Sequence, residues 1–142
     1  MRYIGIDPDV EKSGLAVWNG STKTLEFCGT KTFFELIGML DGVIGEDNGG
    51  YEIHIEAGFL NKKSNFHPAQ GAAVREKIAK MVGRCEMVSL LLIEFCESNK
   101  IKYKAIRPTR TKDQNNFIFK QVKWEGRSNQ EMRDAAALVI GL

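Results

Sequence analysis

Several features are scarce in this 142-residue sequence. It has three prolines and three cysteines, and no apolar run comes near the roughly 18 to 20 residues a membrane span needs. Few prolines, with 27% charged and 43% apolar side chains, argue against a collagen-like or disordered chain and allow a packed core. Cys28, Cys85 and Cys96 are odd in number and show no Cys-x-x-Cys spacing. They argue against a disulfide framework or a thiolate zinc site and fit reduced thiols in a cytoplasmic protein. Histidine is also sparse, with only His54 and His67, so no Ser-His or Cys-His constellation suggests a side-chain nucleophile. The N-terminus meets Asp7 too early for a secretory signal. The length predicts one domain over residues 1–142.

The net charge of +2 hides a division along the chain. Residues 1–61 carry 4 Lys/Arg against 10 Asp/Glu, whereas residues 62–127 carry 15 against 6. Such asymmetry points toward a polyanionic partner, with solvated helix and loop faces as the plainer explanation. Within residues 100–112 stand Lys100, Lys102, Lys104, Arg107, Arg110 and Lys112 with no acidic residue among them. Lys120, Lys123 and Arg127 follow, interleaved with Phe117, Phe119 and Trp124. Basic side chains suit phosphates and aromatics suit unpaired bases, although Phe117 and Phe119 are expected in the core.

Local patterning predicts a mixed α/β chain. Strands are expected over residues 3–7, 14–18 and 24–28, with Asn19-Gly20 as a tight hairpin turn between the second and third. Phe33, Phe34, Ile37 and Leu40 recur at helical spacing, and Glu52-Ile53-His54-Ile55-Glu56 alternates as a fourth strand. Val74, Ile78, Met81, Cys85, Val88, Leu92 and Phe95 form one stripe, predicting a long buried helix that ends near Ser98-Asn99. A fifth strand over 103–106, a short helix over 117–122 and a final helix from Ser128 complete the order βββαβαβα.

Asp7 and Glu56 each close an apolar strand at its carboxyl end, where ligands bind in open α/β sheets. If those strands are neighbours, the two carboxylates lie side by side and call for a cation, Mg²⁺ being the natural candidate. Asp134 precedes Ala135-Ala136-Ala137, small residues that let a helix sit close on a sheet, and Glu131 shares its face. Each has a plainer reading: a turn at Asp7-Pro8, an exposed strand end at Glu56, a surface ion pair at Asp134. For Glu131 it is the Ser128-Asn129-Gln130-Glu131 capping box. His54 shares the Glu56 face and reads as a packed histidine or a neighbour of the site.

Taken together, Ile4-Gly5-Ile6-Asp7-Pro8 with Gly14, the strand Ile53-His54-Ile55-Glu56 and Arg133-Asp134-Ala135-Ala136-Ala137-Leu138 resemble the motifs of RuvC-type Holliday-junction resolvases, in the RNase H-like superfamily. The resemblance implies an RNase H-like mixed five-stranded sheet flanked by helices. It also implies a structure-specific endodeoxyribonuclease with Asp7, Glu56, Glu131 and Asp134 as catalytic, metal-binding residues for two Mg²⁺ ions, Mn²⁺ being able to substitute. Branched DNA is the implied substrate and a homodimer the implied working unit, in a bacterial or phage-infected cell. The long helix, with Met81, Met87, Leu90, Leu91 and Ile93, is its expected seam. DNA contacts fall on Lys62, Lys63, Phe66, Arg84, Arg107, Arg110, Lys112, Lys120, Lys123 and Arg127. Asp9 departs from the pattern, standing where most relatives have glycine. Alternatives are a nuclease for flaps or RNA/DNA hybrids and a non-catalytic nucleic-acid-binding module. A two-domain ATPase of the actin or sugar-kinase type needs a longer chain.

Overall fold

The computed structural model describes residues 1–46, 50–61 and 71–142, with residues 44–46 as backbone only. Its elements run β1 (Arg2–Asp7), β2 (Ser13–Asn19), β3 (Thr24–Lys31), α1 (Phe33–Glu46), β4 (Tyr51–Glu56), a 3-10 turn (Gly58–Leu60), α2 (Ala72–Ser98), β5 (Tyr103–Ile106), α3 (Lys112–Phe119) and α4 (Gln130–Ala137). The five strands form one sheet in the order β3-β2-β1-β4-β5. The expected meander is present, with β1 antiparallel to β2 and β2 to β3. The remaining pairs, β1 with β4 and β4 with β5, are parallel.

Alternation along the strands divides the core in two. Ile4, Ile6, Leu15, Ile53 and Ile55 point to one face, where they meet Leu36 and Leu40 of α1, Leu92 and Cys96 of α2, and Ile101. Ala16, Trp18 and Cys28 point to the other, against Phe119 of α3 and Ala135, Ala136 and Val139 at the end of the chain. With both faces covered, the central strand β1 is apolar on one side and small or polar on the other. The α4 side therefore approaches the sheet backbone closely.

Three local expectations are corrected. The β2–β3 connection is a four-residue loop, since Asn19 pairs with Thr24. Asn19 Oδ1 accepts from the amides of Ser21 at 3.0 Å and Thr22 at 3.2 Å, and Lys23 takes the left-handed φ of 55°. The short helix expected over 117–122 instead begins at Lys112. Thr111 and Gln114 form a reciprocal cap, with Gln114 N donating to Thr111 Oγ1 at 3.3 Å and Thr111 N to Gln114 Oε1 at 2.8 Å. Finally, α2 is not buried along its length: Ser89, Leu92 and Cys96 are covered, but Val74 and Met81 are exposed. At 27 residues it spans about 40 Å, twice the roughly 20 Å of the six-residue β4, so the sheet covers only one end of it.

Candidate active site

The site begins with two strand ends. Ile6 of β1 pairs with Ile55 of the parallel β4, so the next residues, Asp7 and Glu56, leave the sheet side by side at its carboxyl edge. Helix α4 is brought to the same place by two glycines. A Cβ on Gly5 would lie 2.1 Å from the Ala135 carbonyl oxygen, and one on Gly14 would lie 2.0 Å from that of Glu131. Only bare backbone permits so close an approach. Gly14 is the cross-strand partner of Asp7, so the first turn of α4 is laid beside that carboxylate. Glu131 and Asp134 are carried in with it.

The electrostatics register the convergence. Burial pushes the Asp7 carboxyl up to about 8, and the charges of Glu56, Asp134, Glu131 and Asp9 push the same way. Glu56 is likewise raised, first by burial and then by Asp134. A half-buried cluster of like charges favours a proton or a cation among its members. Its donors are all carboxylate oxygens, the chemistry that hard divalent ions such as Mg²⁺ prefer. Among the described residues, no three His, Cys, Asp or Glu side chains are gathered tightly enough to enclose an ion by themselves. Mg²⁺ usually binds through one or two carboxylates and keeps several waters. On donor chemistry the residues fit such an ion.

The plainer readings of α4 do not hold. The helix starts at Gln130, one residue later than a Ser128 cap requires. Asn129 is the cap, its Oδ1 accepting from Met132 N at 2.9 Å, and Ser128 Oγ accepts from Arg133 Nη1 at 3.0 Å. Glu131 therefore has no part in closing the helix. Asp134 is held by neutral amides rather than by a cation. Its Oδ1 accepts from Asn115 Nδ2 at 2.8 Å and Gln130 Nε2 at 2.7 Å. Asp9 is partly committed to its own loop, Oδ1 accepting from Glu11 N at 2.9 Å.

A cleft of about 220 Å³ opens in front of Asp7 and Glu56, with Cys85, Glu86 and Ser89 of α2 across it and Asn61 and Pro108 among its other walls. Ser89 Oγ donates to the Glu56 carbonyl at 3.2 Å, tying helix to strand end. Burial and the charges of Asp9 and Asp7 push the Cys85 thiol up, away from a reactive thiolate. His54 is buried against Glu52, its Nε2 2.8 Å from Glu52 Oε1, with its ring edge-on to Tyr3. Burial would raise Glu52, but hydrogen bonds from Lys102, Lys104 and His54 outweigh it and hold the carboxyl at about 2. This is a packed histidine in a structural ion cluster.

The expected DNA-contacting side chains fare unevenly. Arg84, Lys112, Lys120, Lys123 and Arg127 are exposed. Arg107 and Arg110 are exposed but also bond internally, Arg107 Nε to Asn61 Oδ1 at 3.0 Å and Arg110 Nη1 to the Ala137 carbonyl at 2.7 Å. Lys62, Lys63 and Phe66, with His67, lie outside the described residues. Of the two aromatics on α3, Phe119 is core and Phe117 is 67% exposed, beside Arg110. Asn115, Gln130 and Glu86 were not anticipated. The Thr111-x-x-Gln114 signature would have started α3 early enough to turn Asn115 inward.

No protein-family model and no curated protein matches the sequence. Solved structures do match in shape, two RuvC structures among them. One is Thermus thermophilus RuvC in complex with a Holliday junction substrate, at a TM-score of 0.62 and 14% identity over 99% of this chain and 90% of that one. The other is the T. thermophilus RuvC structure, at 0.54 and 15% over 99% and 92%. The fold is that of RuvC. The likeness covers the RNase H-like mixed sheet and its flanking helices, so the carboxylate cluster sits on a RuvC scaffold from end to end. Among the described residues no helix is long and apolar enough to cross a membrane.

Proposed function

We propose that the protein is a Mg²⁺-dependent, structure-specific endodeoxyribonuclease that cleaves phosphodiester bonds in four-way or otherwise branched DNA. The observation that carries this reading is the meeting of Asp7, Glu56, Glu131 and Asp134 at one sheet edge of a RuvC fold. Asp7, Glu56 and Asp134, with Glu131 as fourth ligand, would hold two Mg²⁺ ions, Mn²⁺ serving in their place. When bound, such a pair activates a water and stabilises the leaving oxygen during in-line displacement.

The chain's own residues do the rest. The four carboxylates bring enough negative charge to need cations, and the crowding that raises the Asp7 and Glu56 carboxyls is relieved by positive charge among them. Arg84, Arg107, Arg110, Lys112, Lys120, Lys123 and Arg127 carry the phosphate backbone toward the cleft, with Lys62, Lys63 and Phe66 from the sequence preceding α2. Phe117 offers an exposed ring to a base unpaired at the branch point. Two copies joined along α2 would supply matched nicks to a symmetric junction.

The test is a cleavage assay on synthetic four-way junctions, flaps and RNA/DNA hybrids, with and without Mg²⁺. Mg²⁺-dependent nicking of junctions by the native protein, abolished in both Asp7→Asn and Glu56→Gln, is the expected result. Hybrid or flap cleavage without junction cleavage would reassign the substrate. Junction binding with no cleavage at all would leave a non-catalytic binding module.

A further inference from the structure

The four carboxylates are not held alike. Among the described residues, Asp134 alone of the four has a side-chain oxygen bonded by two side-chain amides, Asn115 Nδ2 at 2.8 Å and Gln130 Nε2 at 2.7 Å. Both donate to Oδ1, and Oδ2 accepts no hydrogen bond among the described residues. Two donors on one oxygen fix the rotation of the carboxylate and leave the other oxygen for an external ligand.

The donors are themselves fixed. Gln130 Oε1 accepts from Arg133 Nη2 at 3.3 Å, which sets which end of that amide faces Asp134. Arg133 also donates from Nε to Asn116 Oδ1 at 2.7 Å and from Nη1 to the Ser128 carbonyl at 3.1 Å. Adjacent residues of α3, Asn115 and Asn116, thus hold adjacent residues of α4, Asp134 and Arg133. Asn115 is buried, and a buried amide with one well-directed donor on a carboxylate orients it strongly.

We infer that Asn115 and Gln130 are positioning residues that fix the Asp134 carboxylate so that Oδ2 presents to a divalent cation. This rests on the reading of Asp134 as a metal ligand proposed above. Partners of ligating carboxylates are worth about 10-fold or more in metal affinity. The amides are neutral, so they orient Asp134 without cancelling the charge that attracts the ion, as an arginine or lysine in their place would.

The test uses shape-preserving replacements that cannot donate, Asn115→Leu and Gln130→Met, with Asp134→Asn for reference. Mn²⁺ affinity is measured calorimetrically on the full chain without DNA, and junction cleavage is followed separately as kcat and KM at limiting and saturating Mn²⁺. Thermal unfolding identifies any variant that fails to fold, and the two replacements serve as independent checks. The expected result is Mn²⁺ binding weakened by about 10-fold in each folded variant. KM for DNA should stay unchanged, kcat should recover at saturating Mn²⁺, and neither replacement should weaken binding further in the Asp134→Asn background. Native Mn²⁺ affinity in the folded variants would overturn the inference while leaving the nuclease proposal standing. Mn²⁺ binding by the native protein without cleavage of junctions, flaps or hybrids would overturn the nuclease proposal and still let the variants decide this one. No Mn²⁺ binding by the native protein would overturn both.

Discussion

At the scale of single residues, Asp7 carries the cost of the site. Its carboxyl titrates near 8 in the folded chain against an ordinary value of 3.8, because it is half-buried among Glu56, Asp134, Glu131 and Asp9. Between those two values the folded state keeps a proton that the unfolded state has released. Stability without divalent ions therefore falls as pH rises from about 4 to about 8, the loss being complete above the folded value. Glu56, also raised, adds to the slope in the same sense. Urea titrations in EDTA should show a decline on the order of 2 to 4 kcal/mol across that window, discounted for partial solvent exposure. Asp7→Asn should flatten it, and Mg²⁺ should restore the native protein at the alkaline end. A pH-independent midpoint in native protein would refute the crowding of these charges. Asp7 and Glu56 were legible in the sequence because a strand-end carboxylate interrupts an apolar alternation. Asn115 and Gln130 were not, since a side-chain amide in a polar stretch acquires its role only when another helix is laid beside it.

At the scale of elements, helix α4 reaches the site only because β1 and β2 are bare at two positions. A methyl on Gly14 would stand 2.0 Å from the Glu131 carbonyl oxygen, a distance no side-chain rotation relieves because both partners are backbone. Gly14→Ala must lift the first turn of α4 and with it Glu131. Forced overpacking of this kind typically costs about 1 to 3 kcal/mol, or roughly 3 to 12 °C in a chain this size. Cleavage should fall further than the loss of folded protein explains, by about 10-fold or more, since a displacement of even 1 Å misplaces a catalytic group. Calorimetry beside a nicking assay at a temperature where the variant is fully folded separates the two effects. Unchanged activity there would show that α4 need not sit so low. The strands were readable from their period-2 alternation, and β5 was placed to the residue. The α3 and α4 boundaries were not. The start of α3 is fixed by a cap at Thr111 preceding a polar turn, and at α4 Asn129 outcompetes the adjacent Ser128 for the capping position. Nor could the α2 stripe reveal that the helix outruns its sheet, because apolar spacing records a face and not what covers it.

At the scale of the whole molecule, the exposed apolar side of α2 and the divided charge act together. The acidic first part supplies Asp7 and Glu56, and the basic part supplies exposed cations suited to the phosphates of the proposed DNA substrate. On the proposed reading, however, one cleft acts on one strand. Met87, Leu90 and Leu91 are 55%, 45% and 41% exposed at helical spacing, a stripe of apolar surface that water alone does not favour. Gly83, one turn away, has open space over its Cα, so the backbone of another helix can approach there. A second copy packed on this stripe by a two-fold axis would present two identical clefts to the proposed substrate, itself two-fold. Leu90→Glu places a charge in that seam, at an exposed position of α2. Native protein should sediment as a dimer at micromolar concentration and nick a junction in paired strands. The variant should sediment as a monomer, keep its Mn²⁺ affinity, and give single, unpaired nicks. Paired nicking by a protein that remains monomeric, or a Leu90→Glu variant that still dimerises, would remove α2 as the seam.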